Sequence, residues 1–173
     1  MTAVVFSLML IRPYTLQDSA STRALFQKTI RTINANDYTA FEIAAWLKEE
    51  DTTLAQWHAH LASSLAFVAV NEHNELLGFG NCLPEIGLID CLYVHVEHQS
   101  EGIGSLLLQT LENAIDSTIS TLSVDASITA RTFFERHGYT VRFVNTVHRV
   151  FSLDGKSRNA VLCNLHMQKS RCK

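Results

Sequence analysis

Apolar positions first gather at Leu8–Tyr14, a strand-like run closed by Pro13. Thr15, with Asp18 three residues on, has the form of a partial capping box. Leu25, Phe26, Ile30 and Ile33 then recur at helical spacing. The polar stretch Asn34–Asp37 ends that helix. Thr39 followed by Glu42 predicts a second, carrying Phe41, Ala45 and Trp46, and Thr53 opens a third with Leu54, Trp57 and Leu61. The pattern then turns to strands. Leu65–Asn71 and Glu75–Leu83 flank a short polar turn and read as a hairpin, and Ile86–Val94 is a third strand. From Ile103 an amphipathic helix runs through Leu107, Leu111 and Ile115. A short strand at Leu122–Val124 precedes a helix from about Ser127 to His137, with Gly138 as a left-handed stop. Tyr139–Phe151 and Ala160–Met167 are the last strands, joined around Asp154-Gly155. This order predicts an α/β (α+β) fold: a mixed, mostly antiparallel sheet of about six to seven strands, by the order-of-elements argument, with helices on its faces.

The 173 residues fit one domain, 1–173, with 47% hydrophobic and 18% charged positions, which excludes a disordered chain. No apolar run approaches the ~20 residues of a membrane span. Ala3–Ile11 has no basic residue before it and no small-residue cleavage site after it, so it reads as a first strand rather than a secretory signal. Met9 is an alternative start, which would make residues 1–8 a dispensable extension. Cys82, Cys91, Cys163 and Cys172 form no C-x-x-C pair, so free thiols in a reducing cytoplasm are expected, and no metal. The net charge of −3 argues against nucleic-acid binding. Its distribution is uneven: 5 basic and 15 acidic residues precede position 131, against 9 basic and 2 acidic from Arg131 onward. A basic end either helps to bind an anionic ligand or is a solvated strand face with a Lys/Arg tail.

The most informative stretch runs from Leu92 to Gly104, where a buried strand ends, a polar loop turns, and Gly102 and Gly104 open a helix. Free N–H groups at a helix start bind phosphate oxygens, and glycine lets the backbone approach a pyrophosphate. No Gly-Lys-Ser/Thr follows, so this is no Walker loop, and the leading glycine of a dinucleotide fingerprint is absent. Two glycines alone also fit a plain helix-entry turn.

Together with Ser127–Tyr139, this stretch resembles the GNAT (general N-acetyltransferase) superfamily. Gln99, Gly102 and Gly104 match that family's Gln/Arg-x-x-Gly-x-Gly/Ala loop for the acetyl-CoA pyrophosphate. Ser127, Ala130, Phe133, Phe134, Gly138 and Tyr139 match its Asn-x-x-Ala-x-x-Phe-Tyr helix closed by Gly-Phe. The resemblance runs from Ile11-Arg12-Pro13 to Met167-Gln168-Lys169. Arg31–Tyr38 and Trp46 make it most similar to the YafP-like bacterial branch. It implies that acetyl-CoA is held by Leu92, Tyr93, Val94, Gln99, Ser100, Glu101, Gly102, Ile103, Gly104 and Ser105, with Ser127, Arg131 and Phe134. It also implies an acceptor pocket roofed by the first helices, near Arg31, Asn34, Tyr38 and His95, and strands that often pair between protomers as a homodimer. Two positions depart from the pattern. Ser127 replaces an asparagine, and Phe134 stands where relatives carry the tyrosine that protonates the leaving thiolate. Tyr139 is the nearest phenol, either that acid or a core aromatic.

An attacking amine must be neutral, which calls for a base or a water path to one. Asp90 is the one carboxylate in the apolar run Leu88–Val94, and alternation puts it on one face with Leu88 and Leu92, opposite Cys91 and Tyr93. It either holds the ammonium and relays its proton, or pairs with an arginine at the sheet surface. His58 and His60, two apart on a helix, do not share a face; His95 and His98 flank the loop. Trp46, Trp57 and Tyr38 are core or pocket residues. The function the resemblance implies is acetyl transfer from acetyl-CoA to a small-molecule or peptide amine by direct attack in a ternary complex, with a backbone N–H near Val94, where the family's strand bulges and splays, polarising the thioester carbonyl. The alternative is a CoA-binding regulatory or interaction module without turnover.

Overall fold

The structure, a computed structural model, describes residues 9–171. Expectations about residues 1–8 and the Cys172 thiol lie outside that range. Strand β1 (Leu10–Pro13) leads through a 3-10 turn at Leu16–Asp18 into α1 (Ser19–Thr32). The capping box forms: the Thr15 N–H and hydroxyl both donate to Asp18 Oδ2, at 2.8 and 2.9 Å, and Arg12 clamps the same carboxylate from β1 at 2.8 Å. Thr39–Glu42 and Thr53–Gln56 cap α2 (Ala40–Leu47) and α3 (Leu54–Ala62) in the same reciprocal way.

The strands β2 (Leu65–Val70), β3 (Leu76–Leu83) and β4 (Leu88–Val94) form a meander. Helix α4 (Ile103–Ala114) carries the chain over to β5 (Thr121–Ala126). After α5 (Arg131–Arg136), the hairpin β6 (Thr140–Leu153) and β7 (Lys156–Ser170) completes one seven-stranded sheet of order β1-β2-β3-β4-β5-β7-β6. Among the described strands, only β4 and β5 are parallel, as a βαβ crossover requires. Helix α5 is shorter than expected, because residues 127–130 form a turn stabilised by the Ala130 N–H bonding to Ser127 Oγ at 3.1 Å. Gly138 does stop it, at φ +87°.

Ile103, Leu107, Leu108 and Leu111 bury one side of α4 against the sheet, each contributing roughly 1.5–3 kcal/mol. That packing is close because β3 presents glycines there. A Cβ on Gly80 would stand 2.8 Å from both the Cys91 carbonyl and Leu111 Cδ1, and one on Gly78 would stand 2.9 Å from the Tyr93 carbonyl. On the other face, Leu25, Trp57, Leu61, Val68 and Phe79 bury α1 and α3.

Two irregularities shape the middle of the sheet. The ladder between β3 and β4 shifts at Asn81/Cys82: Cys91 lies opposite Asn81 and Ile89 opposite Cys82, so Asp90 is an extra residue, a β-bulge. The expected face of Asp90 is thereby corrected. Ile89 and Leu92 pack toward α4, while Asp90, Cys91 and Tyr93 all turn to the α1/α3 side, where they line one cavity. The second irregularity is a splay. Strands β4 and β5 pair only at Leu88↔Ser123 and Ile89↔Val124 and then diverge.

Candidate active site

Two cavities meet at the splay and share Tyr93 and Ser127. The first, of about 180 Å³, lies between the end of β4, the start of α4 and the turn before α5. Leu92, Val94, Phe133 and Phe134 give it apolar walls, and Thr29, Asn34, Gln99, Ser127 and Thr129 supply polar groups. The second, of about 470 Å³, opens between β4, α2, α3 and the β6–β7 hairpin.

At the mouth of the first cavity α4 begins with no side-chain cap. Its first helical bond runs from the Leu106 N–H to the Gly102 carbonyl at 3.1 Å, so the N–H groups of Ile103, Gly104 and Ser105 precede it. Gly102 adopts φ +84°, and a Cβ there would meet no atom within 4 Å, leaving the loop open to a ligand. Oriented amides beside a narrow apolar channel suit a diphosphate joined to a slender acyl-carrying arm, so these residues fit acetyl-CoA.

Gln99 works differently from a direct phosphate ligand. Its Nε2 donates to the Val94 and His95 carbonyls at 2.8 and 3.3 Å and fixes the loop against the strand end. Ser100 takes φ +65° in the turn, Glu101 bonds His98 at 3.1 Å, and Ser105 Oγ bonds His137 at 2.9 Å. The His95 N–H bonds the Leu77 carbonyl at 2.7 Å across the ladder. Its neighbour, the Val94 N–H, therefore points to the opposite edge, where β5 has turned away.

Asp90 anchors the second cavity. Its Oδ2 accepts from Asn81 Nδ2 at 2.8 Å and pairs with His60 Nε2 at 3.0 Å. Burial by itself would raise the Asp90 carboxyl, but the His60 and Asn81 hydrogen bonds outweigh it, and its pKa lies below the ordinary value. His60 is raised by that same bond. His58 instead faces Tyr14, whose hydroxyl lies 3.0 Å from Nδ1. Cys91, Asp90 and His60 come within 4.8 Å of one another. Burial pushes the Cys91 thiol well above its ordinary pKa.

The remaining residues singled out in the sequence divide sharply. Tyr38 lines the second cavity and is also buried; its hydroxyl donates to the Cys163 carbonyl at 2.9 Å and accepts from the Ile128 N–H at 3.0 Å. Trp46 and Trp57 line the same cavity. Asn34 reaches Thr129 at 3.4 Å in the first. Arg31 pairs with Glu49, Arg131 pairs with Glu135 at 2.8 Å, and His95 accepts from the Glu97 N–H at 3.3 Å; none of the three lines either cavity. Tyr139 is corrected to a core aromatic. It is 1% exposed, its hydroxyl donates to Glu112 at 3.0 Å, and burial raises its pKa far out of reach of proton exchange near neutrality. Sequence reasoning passed over Asn81, set His60 aside with His58, and matched Phe133 to a helix pattern without giving it a place in a cavity. Phe133 was visible as the partner of Phe134, whereas the position of His60 depends on how α3 docks.

The basic end of the chain also divides. Lys169 binds Glu112 at 2.8 Å, and Arg171 donates to carbonyls at and just past the end of α4, at Glu112, Ile115 and Asp116. Arg149 instead lines the second cavity. No described helix is long and apolar enough to cross a membrane.

The sequence profile of the acetyltransferase (GNAT) domain matches residues 34–150. The chain is 34% identical over 129 residues, 75% of its length and 79% of the relative's, to the uncharacterized N-acetyltransferase YafP of Escherichia coli (strain K12). Its fold superposes on a GCN5-related N-acetyltransferase from Rhodopseudomonas palustris with a TM-score of 0.81 and 32% identity, covering 98% of this chain and 100% of that one. The PaiA N-acetyltransferase of Thermoplasma acidophilum, solved with coenzyme A, shares the fold at a TM-score of 0.71 and 16% identity over 95% of this chain and 99% of its own. A profile that matches more than half of the sequence, and a relative aligned over three quarters of it, agree with the splayed sheet: the chain belongs to the GNAT family and is an acetyltransferase.

Proposed function

We propose that the protein transfers acetyl from acetyl-CoA to a small-molecule or peptide amine by direct attack within a ternary complex. The observation that carries this reading is the junction of two cavities at the β4/β5 splay: an apolar channel with free amides at one end, and a chamber holding a carboxylate. When bound, acetyl-CoA supplies an activated acyl carbon and a thiolate leaving group. The start of α4 receives the diphosphate through the amides of Ile103, Gly104 and Ser105. The Val94 N–H, facing the gap, polarises the carbonyl that is attacked. Asp90 brings negative charge to the chamber and draws an ammonium group in. Tyr38, Trp46, Trp57 and Tyr93 enclose the acceptor's body with aromatic surface. Positioning then accounts for much of the rate, because both partners meet at a gap fixed by the sheet.

Phe134, 3% exposed and lining the donor channel, offers no proton to the departing sulfur, and this one residue favours a second reading as a CoA-binding module without turnover. One assay separates the two. The purified protein is given acetyl-CoA and a panel of amines, with free thiol and acetylated product followed together. Stoichiometric release of thiol and acetyl-amine supports the enzyme. Binding of CoA with no product from any amine supports the module.

A further inference from the structure

We propose that His60, oriented by Asp90, is the group that takes the proton from the acceptor ammonium, so that Asp90 is its positioning partner rather than the base. The inference rests on the acetyl-transfer reading above and goes on to assign its proton.

The bulge at Asp90 is the first support. It turns Asp90 and Cys91 together into the acceptor chamber, and α3 lays His60 against them from the other side. The carboxylate is already engaged: Oδ2 binds both Asn81 and His60. Asn81 is 0% exposed and is itself held by Ser64 at 3.0 Å, so the carboxylate is fixed from behind. A carboxylate so engaged is a poor proton acceptor, whereas its partner is a good one. The bond at Nε2 selects the tautomer that carries its hydrogen on that nitrogen. Nδ1 then keeps the lone pair, and among the described residues no hydrogen bond is made to it. The imidazole is half exposed at the chamber wall, where an incoming ammonium can reach it.

Other ionisable groups around the chamber do not displace this assignment. Burial raises Cys91, Tyr93 and Tyr38 above their ordinary values, which keeps them protonated near neutrality. Asp125 is bound to His166 at 2.8 Å, and Arg149 is a permanent cation. The proton count closes. An ammonium and an acetyl thioester give an amide, a thiol and one proton. His60 takes one proton from nitrogen before the C–N bond forms and releases it to solvent. The second nitrogen proton ends on the sulfur after the C–S bond breaks.

The test is the pH dependence of kcat/KM on an amine found in the panel. Because Asp90 raises His60, wild type should show an acid limb above the ordinary histidine value, with the rate rising as the imidazole loses its proton. His60→Gln should lower kcat by roughly 10²-fold, remove that limb, and leave acetyl-CoA affinity unchanged. NMR titration of the imidazole in wild type and Asp90→Asn should show His60 falling toward its ordinary pKa in the variant, a readout independent of turnover. A folded His60→Gln that keeps the wild-type rate and limb overturns this proposal alone, as does a His60 pKa unmoved by Asp90→Asn. A wild type that acetylates no amine overturns the functional reading and this proposal with it.

Discussion

Gly104 offers a perturbation in which stability and function should move in opposite directions. It is the second residue of α4, in ordinary helical conformation, so a side chain there meets no backbone penalty. A Cβ would touch Phe133 at 3.3 and 3.4 Å and Val94 Cγ2 at 3.5 Å, all on the wall of the first cavity. Alanine therefore fits after a shift of a few tenths of an ångström, and helix propensity favours it over glycine by about 1 kcal/mol. Valine adds two more methyl groups in a channel of about 180 Å³. Overfilling of that kind costs roughly 1–3 kcal/mol. Here the cost falls on the bound state, because the free protein leaves the channel to solvent. At 1.4 kcal/mol per decade, Gly104→Val should weaken acetyl-CoA binding by about 5- to 150-fold. A thermal-shift titration reads both effects. Unliganded Gly104→Ala should melt at or above wild type, and Gly104→Val should need a correspondingly higher acetyl-CoA concentration for the same stabilisation. Identical titration curves for wild type and Gly104→Val, both folded, would refute the assignment of this channel to the donor.

Asp90→Asn should reduce turnover on an identified amine by roughly 10²-fold, less at high pH where more amine is neutral, with acetyl-CoA affinity unchanged by calorimetry. Tyr139→Phe removes only the bond to Glu112, so it should cost about 1 kcal/mol in urea unfolding and leave kcat at the wild-type value; a large fall in kcat would restore the phenol as the acid. Gly80→Ala puts a methyl 2.8 Å from the Cys91 carbonyl and Leu111. Denaturant unfolding should show a loss of about 1–3 kcal/mol, and an equally stable variant would mean that α4 can lift off β3 freely.

Most of the fold could be read locally. Three helix starts were visible because each capping box lies within four residues, and the hairpins announced themselves through turn residues and β-branched runs. The glycine-opened start of α4 was legible for the same reason: Gly102 and Gly104 carry their geometry in sequence. The lining of the second cavity was not. Alternation predicts Asp90 beside Leu92, and one inserted residue, invisible in an apolar run, reverses that face. His60 was set aside because helical spacing gives it no partner within α3; its partner lies 30 positions away on β4. Tyr139 looked available as a phenol, and only the packing of α4 and β7 around it shows a core residue.

The two ladder pairs between β4 and β5 make the sheet two plates joined along a short seam. Beneath, the seam is welded by the core that α4 shares with both plates, including Ile89, Leu111, Leu122 and Met167. Above it nothing in the ladder holds the edges, and both cavities lie there, each with one wall on either plate. A small rotation about the weld changes the distance between the walls while breaking no strand pairing. Under the proposed function, donor and acceptor would each touch both plates and act as the missing stitches along the upper seam, so that occupancy would stiffen the joint. A change in the weld would then cost the fold itself, whereas one confined to the upper edges would cost turnover first.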